Sequence, residues 1–427
     1  MARVVLNPFG SFGDLHPFLA IAIELNRRGH EAIVATSEIY RDKIVAEGVG
    51  FAPVRPDLGA LATDAELLRR IWDPKHGPEH LLREILIPNA RASYEDVAAA
   101  ANGADLLLTH SASYGGPVAA QKLRIPWLSV VLQPMVFFSA YDPPVFPAAL
   151  WIRHVHALRP WAFQITRTLM KLELDRWMKP VRELRASLGL PPGANPALEG
   201  QFSPRGTLAL FSRHFAQPQP DWPEGVTVTG FVYYDQLGAA IPHFSRTQRE
   251  TELRQFLDAG DPPLVFTLGS SAVMQAGNFF RESIRAAQSL GMRAVVLTGP
   301  LAKPLAILAP TSIFITEYAP YSELLPHAAA IVHQGGIGTT AQSLRAGRPM
   351  LAVPWSHDQP DNAENLRRLG VARVLRRNQY TAVRAAKEIT KLLGDASYRT
   401  SASQVREKLA QENGIDVAVD RIEAILS

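Results

Sequence analysis

The chain of 427 residues contains no cysteine. That excludes disulfides and thiolate metal sites, and it accords with a reducing cytosol. No long hydrophobic run is present. The N-terminal run Val4-Val5-Leu6 is broken at once by Asn7-Pro8, so no signal peptide is visible. The most apolar candidate for a membrane span, Leu128 to Phe138, is cut by Gln133 and Pro134 and is too short. Neither charge dominates: 44 Lys and Arg against 40 Asp and Glu leave +4. So mild an excess serves solubility, and is compatible with phosphorylated substrates or an anionic membrane surface. Nucleic acid is not expected as a partner. Also missing is the dinucleotide fingerprint, since neither glycine loop has its spacing with an acidic residue about twenty positions on. That disfavours an NAD-dependent oxidoreductase.

What is present reads as globular: 47% of the residues are hydrophobic and 20% charged. Such a length suggests two domains of about 100–200 residues each. The most informative stretch runs from Ala328 to Gly370. Ile331 and Val332 close a buried strand with His333 at its carboxyl end; Gly335, Gly336 and Gly338 follow, then the helix former TTAQSLRA, stopped by Gly347. A second strand, Met350 to Val353, leads into PWSHDQP, and another helix is expected near Asp361. Ligands of such units bind outside the carboxyl ends of the strands. Glycines let a phosphate approach the backbone, and free N–H groups at the helix start favour an anion. His333 suits donation to a phosphate oxygen, and Asp358 and Gln359 suit hydroxyls. A diphosphate carrying a polyol fits that layout.

In the N-terminal half, the strand Arg3–Leu6 is followed by the loop Asn7 to His16 and a helix expected from Pro17. The glycines here are Gly10 and Gly13, and Asp14 stands where a phosphate would approach, so this half should hold the other substrate. Asp14 has two readings, a helix cap or a base on an acceptor hydroxyl, with His16 a rival base two residues on. Residues 52–92 read as irregular, and Gly77-Pro78 should break any helix aligning His76 with His80 as metal ligands. The strand Asp105–Thr109 ends at His110. Leu150 to Leu190 reads as two amphipathic helices carrying Trp151, Trp161 and Trp177, as core helices, walls of an apolar pocket, or a membrane-touching surface. Thr207 to Phe211 should be the last strand of the first domain, and Ser245 should open a helix reaching Asp258.

The stretch from Glu317-Tyr318-Ala319-Pro320 through HQGGIGT to HDQPDNA, with the GSFGDLHP loop at the start, resembles the UDP-glycosyltransferase superfamily. These are inverting transferases of GT-B fold, α/β proteins with two Rossmann-like doubly wound domains facing across a cleft. The GSxGD loop is closest to the branch of sterol, glycopeptide and rhamnolipid-type transferases. The resemblance implies that Asp14 takes the place of the base, which is a histidine in the plant-like branch. His110 stands where that branch has the aspartate orienting its histidine. Tyr318 would stack on the nucleobase, and Ser270 and Ser271 would lie against the diphosphate. His333, Gly335, Gly336, Gly338 and Thr339 would hold the diphosphate, and Asp358 and Gln359 the sugar. Ile337 and Ala341 replace the plant asparagine and the glutamate that binds ribose, so the donor is open between UDP and dTDP sugars.

These readings place an acceptor-binding domain at residues 1–220, a linker at 221–262 and a nucleotide-sugar-binding domain at 263–401. A C-terminal helix at 402–427 should pack back on the first domain. The expected activity is transfer of a hexose or deoxyhexose to a lipophilic or aromatic alcohol or phenol, without metal or cofactor, in the cytoplasm and compatible with peripheral membrane contact. An epimerase and a non-catalytic auxiliary protein of this fold are the alternatives, and the oligomeric state is not legible.

Overall fold

The computed structural model describes residues 1–146, 160–235, 246–302 and 310–427. The chain folds into two units, Met1–Tyr234 with Glu412–Ser427, and Asp235–Gln411. The first is built on seven strands: β1 (Arg3–Asn7), β2 (Glu31–Thr36), β3 (Gly50–Pro53), β4 (Leu106–His110), β5 (Trp127–Val131), β6 (Thr207–Ala209) and β7 (Val226–Val228). The second has six: β8 (Leu264–Thr267), β9 (Ala294–Leu297), β10 (Ile313–Thr316), β11 (Ala330–His333), β12 (Met350–Ala352) and β13 (Ala372–Val374). The sheet orders are β3-β2-β1-β4-β5-β6-β7 and β10-β9-β8-β11-β12-β13. Every paired neighbour is parallel. Central strands such as LLLTH and AIVH are buried along their whole length, which is why they read as unbroken apolar runs rather than alternating ones. In both sheets the strand order reverses beside the first strand, between β1 and β4 and between β8 and β11. A doubly wound sheet binds ligands at that reversal.

In chain order the longer helices are α1 (Phe12–Arg27), α2 (Ala90–Ala100), α3 (Gly115–Leu123), α4 (Pro160–Trp177), α5 (Lys179–Ser187), α6 (Arg246–Asp258), α7 (Phe279–Ser289), α8 (Ile337–Ala346), α9 (Gln359–Arg368), α10 (Ala382–Gly394), α11 (Ala396–Leu409) and α12 (Gly414–Leu426). Helix α1 buries Phe18, Leu19, Ile21, Ala22 and Leu25 completely. Each such large side chain contributes about 1.5–3 kcal/mol on leaving water. Helix α12 is tied to the end of α1 within the first unit: Arg28 reaches Asp416 at 3.0 Å, Asp420 at 2.5 Å and Glu423 at 2.8 Å.

Three local expectations change. Helix α1 begins at Phe12, not Pro17, because Ser11 caps it; Pro17 lies inside. Residues 58–86 carry four short helical segments rather than irregular chain. Pro78 starts one of them, in the first turn, where no N–H is needed. His76 and His80 face Glu79 and Glu84 there, at 3.6 and 2.7 Å. Strand β7 falls inside the stretch read as linker and extends the first sheet. Trp151 and Ser245 lie outside the described residues. Helix α4 buries Phe163 and Leu174 and leaves Trp161, Ile165, Leu169 and Leu172 exposed along one stripe. Among the described residues no helix is long and apolar enough to cross a membrane.

Candidate active site

In the first unit, α1 starts directly after the loop that follows β1. Ser11 is its N-cap, and its hydroxyl oxygen accepts from Gly13 N–H at 3.3 Å. Asp14 answers from the third helical position, its carboxylate accepting from Ser11 N–H at 2.7 Å and from the Ser11 hydroxyl at 3.3 Å. That is a capping box with aspartate in the acidic position. The helix start is therefore filled by the protein's own carboxylate, which leaves no seat there for a phosphate. Gly10 makes this approach possible. Its φ is +132°, and a Cβ there would stand 2.2 Å from Asp14 Oδ2.

His110 ends β4 and is buried at 4% exposure. Its Nδ1 accepts from Ala112 N–H at 3.3 Å, so the neutral ring carries its proton on Nε2. Nε2 has no hydrogen-bond partner and lies 3.8 Å from Asp14 Oδ1, beyond hydrogen-bond length. Burial pushes the His110 pKa down to about 4. Asp14 and His110 thus lie close to each other without a hydrogen bond between them. His16 is held elsewhere, stacked on Phe12 at 5.2 Å and tilted against Tyr234 at 4.6 Å. Burial and the Lys43 ammonium push its pKa down to about 3. A small, partly open pocket lies after β1 and β4, lined among others by Asn7, Phe9, Ser37, Leu86, Ser93 and Tyr114.

The second unit places His333 at the end of β11, fully buried. Its Nδ1 accepts from Gly335 N–H at 3.1 Å, which puts the proton on Nε2, and Nε2 has no partner. Burial pushes its pKa down to about 4. Gly335 has φ +87°, and a Cβ there would press the Gln359 carbonyl at 3.0 Å. Gly336 is the N-cap of α8 and supplies no capping side chain. Gly338 and Thr339 lie in the first turn, and Thr339 is buried beside the Tyr321 hydroxyl, which also meets Thr267 Oγ1 at 2.8 Å. Ser270, exposed, and Ser271, half-buried, follow the left-handed Gly269 after β8. Tyr318 is exposed at 39%, after β10.

Asp358 and Gln359 take different places. Gln359 is buried at 2% exposure, and its Oε1 accepts from Trp355 N–H at 2.8 Å and Ser356 N–H at 3.3 Å. It holds its own loop closed. The Asp358 carboxylate accepts from Asn362 Nδ2 at 2.6 Å. Burial raises its pKa to about 6. Asn362 was not singled out from the sequence, although it stands one helical turn beyond Asp358; its Nδ2 also donates to Gly335 O at 2.9 Å. Gln334, likewise missed, is 3% exposed with an unpartnered Oε1, and its amide nitrogen would stand 2.9 Å from a Cβ on Gly336.

Two parallel doubly wound sheets, each with a histidine at the reversal of strand order, define a two-domain Rossmann-like architecture. Comparison with known proteins gives the same answer. Residues 288–425 match the family described as Erythromycin biosynthesis protein CIII-like, C-terminal domain. The chain is 30% identical over 442 residues to O-mycaminosyltylonolide 6-deoxyallosyltransferase of Streptomyces fradiae, covering 99% of this chain and 97% of that protein. It is 26% identical to the sterol 3-beta-glucosyltransferase of Leptosphaeria maculans, over 98% of this chain but only 28% of that longer protein. Among solved structures, spinosyn rhamnosyltransferase SpnG complexed with thymidine diphosphate superposes with a TM-score of 0.68 at 19% identity, over 99% of this chain and 100% of that one. The chain belongs to the UDP-glycosyltransferase superfamily of GT-B fold and is a glycosyltransferase.

Proposed function

We propose that the protein moves a hexose or deoxyhexose from a nucleoside-diphosphate sugar, of UDP-glucose or dTDP-rhamnose type, to a hydroxyl of a lipophilic or aromatic small molecule. The anomeric centre inverts. The observation that carries the donor half is His333, whose buried Nε2–H lacks a partner beside an α8 start that has no capping side chain. A diphosphate oxygen satisfies that donor, and the helix start adds favourable charge. The relatives support the substrate classes by name: a deoxyallosyl transfer, a sterol acceptor, and a thymidine diphosphate complex.

In the reaction, Asp14 accepts the proton of the acceptor hydroxyl as its oxygen attacks the anomeric carbon. The bond from that carbon to the diphosphate breaks, and the diphosphate leaves with the electron pair, its charge met by His333 and the α8 start. The His110 Nε2–H dipole, 3.8 Å from Asp14 Oδ1, supports the carboxylate electrostatically rather than through a hydrogen bond, with the polarity of the familiar histidine–aspartate pair reversed. The scheme includes no metal or cofactor, and transfer that survives chelation is the corresponding check.

Asp14→Asn is the decisive variant. Asparagine still offers an oxygen to Ser11 N–H, so the helix cap persists while proton acceptance is lost. Transfer should vanish with UDP and dTDP binding intact, as read by a transfer assay and thermal shift. Substantial residual transfer moves the role of base to His16. A donor screen of UDP-glucose against dTDP-rhamnose, with a flavonoid and a hydroxylated lipid as acceptors, identifies the substrates, and the anomeric configuration of the product decides the stereochemistry. Turnover of the sugar nucleotide without any acceptor would instead mark an epimerase, and absence of all turnover an auxiliary protein.

A further inference from the structure

The loop that carries the candidate base, between β1 and α1, is held from the far end of β2. Thr36, the last residue of β2, donates its hydroxyl to the Pro8 carbonyl at 3.1 Å. In the short helical turn that follows, Glu38–Tyr40, the Tyr40 hydroxyl donates to the Gly10 carbonyl at 2.8 Å. The Tyr40 side chain is 5% exposed and its ring is tilted against Phe12 at 5.3 Å, which fixes the direction of the hydroxyl. A buried phenol needs a hydrogen-bond partner, and here the partner is a main-chain oxygen. Burial, and after it the charge of Asp14, push the Tyr40 pKa up, so the group stays a neutral donor.

The Gly10 carbonyl is one end of a peptide unit whose other end is Ser11 N–H. Such a unit is planar, with the two groups on opposite edges. Ser11 N–H is the donor that the Asp14 carboxylate accepts from at 2.7 Å. Tyr40 and Asp14 therefore grip one plane from its two edges. Gly10, at φ +132°, lets the plane turn that way, but a glycine does not hold it there. The Tyr40 hydroxyl does. Its donation to the carbonyl also polarises the unit and strengthens the N–H as a donor. With Oδ2 on that N–H, the direction of Oδ1 is set, 3.8 Å from His110 Nε2.

We propose that Tyr40 is a positioning residue for sugar transfer: its hydroxyl fixes the Gly10–Ser11 peptide so that the Asp14 carboxylate meets the acceptor hydroxyl in one orientation. This rests on the reading of Asp14 as the base. Tyr40 moves no proton and acts only through the shared peptide. A loosened peptide lets the carboxylate sample other orientations, which slows proton acceptance and leaves the hold on both substrates as it was.

The test compares Tyr40→Phe, Thr36→Val and Asp14→Asn with wild type in steady-state transfer, using the donor and acceptor that the screen above selects. Tyr40→Phe removes the hydroxyl and keeps the ring against Phe12. Thr36→Val removes the other hydroxyl bond onto the same loop, at a carbonyl that shares no peptide with Ser11 N–H. The kcat of Tyr40→Phe should fall roughly tenfold, the size of one neutral hydrogen bond expressed in the transition state. Both KM values and the affinity for UDP or dTDP should stay at wild-type level. Thr36→Val should keep the wild-type kcat, and unfolding midpoints establish that both variants are folded. A wild-type kcat in Tyr40→Phe overturns the inference. So does an equal loss in Thr36→Val, which would mark general support of the loop, and so does a raised acceptor KM with kcat kept, which would put Tyr40 against the acceptor. Asp14→Asn judges the base reading separately: if it still transfers sugar, that reading falls whatever Tyr40 does.

Discussion

Gly10→Ala isolates the contact on which the first unit's candidate base depends. The new methyl would stand 2.2 Å from Asp14 Oδ2 and 2.6 Å from its Cγ, in a backbone with φ +132°. Neither can be relieved by a rotamer change of alanine, so the Asp14 carboxylate must leave Ser11 N–H. The conformational strain costs about 1–3 kcal/mol. The lost charge-assisted bond adds about 1.5–3 kcal/mol, giving a total of about 2.5–6 kcal/mol. Asp14→Ala alone should cost about 0.5–2 kcal/mol, the usual value of a cap. In the Asp14→Ala background, Gly10→Ala should cost the strain alone, because the carboxylate it strikes is gone. Urea unfolding of the four proteins closes the cycle, with an expected coupling of about 1.5–3 kcal/mol, the value of the lost bond. Additivity within about 0.5 kcal/mol would refute the argument, since it would mean that the methyl and the carboxylate never meet. Transfer should fall in Gly10→Ala, and UDP and dTDP should bind unchanged to the second unit.

The chain should lose stability as pH falls from about 6.5 towards 4. Burial holds His16 near 3 and His110 and His333 near 4, so these rings stay neutral in the fold while the unfolded chain takes up protons. Each contributes at most about 1.4 kcal/mol per pH unit across that window. Asp358, raised to about 6, opposes them by binding a proton in the fold first. Urea midpoints at pH 7.5, 6 and 5 should therefore decline, and His110→Gln should flatten the decline; a flat wild-type profile contradicts the burial of these rings. Gln359→Leu should cost about 2–4 kcal/mol by stranding the Trp355 and Ser356 N–H groups. Gln359→Glu, which keeps an acceptor for both, should restore most of the midpoint, and equal losses in the two variants would show that the loop is held otherwise.

The donor stretch was legible because everything that forms it is local. A buried run, a glycine turn and a helix closed by Gly347 follow one another, and the structure draws β11, α8 and β12 almost where the sequence puts them. The start of α1 was misread although its signal was present: Ser11 and Asp14 have the spacing of a capping box, but Gly10 and Gly13 made the segment look like a loop. Pro78 misled for the opposite reason, since proline stops a helix from inside and starts one from its first turn. What periodicity could not supply were the partners of side chains distant in sequence. The bond from Asn362 Nδ2 to the Gly335 carbonyl, 27 positions back, depends on how the chain folds back. So does the tilted ring contact of His16 with Tyr234, 218 positions away.

The two units place a histidine in the same position, while the helix starts compared below follow different strands, β1 in the first unit and β11 in the second. His110 and His333 each end the strand that lies beside the first strand of its sheet, where the order reverses. Each takes a backbone N–H two residues on at Nδ1, and each leaves Nε2 without a partner. In the first unit the helix start is closed by Ser11 and Asp14 from within α1. In the second, Gly336 offers α8 no capping side chain. An open helix start suits an anion where a built-in box does not, which is why the proposed reading seats the diphosphate in the second unit. Gly336→Ser should then convert the second arrangement towards the first. The serine Cβ meets only the end of the flexible Gln334 side chain, at 2.9 Å, so the fold should tolerate it. Its hydroxyl would cap α8, worth a few tenths of a kcal/mol over glycine, and would compete for the N–H groups a diphosphate needs. The unfolding midpoint should hold or rise while affinity for UDP and dTDP drops. Diphosphate binding as tight as wild type in a folded Gly336→Ser protein would show that the open start of α8 is not what the anion uses.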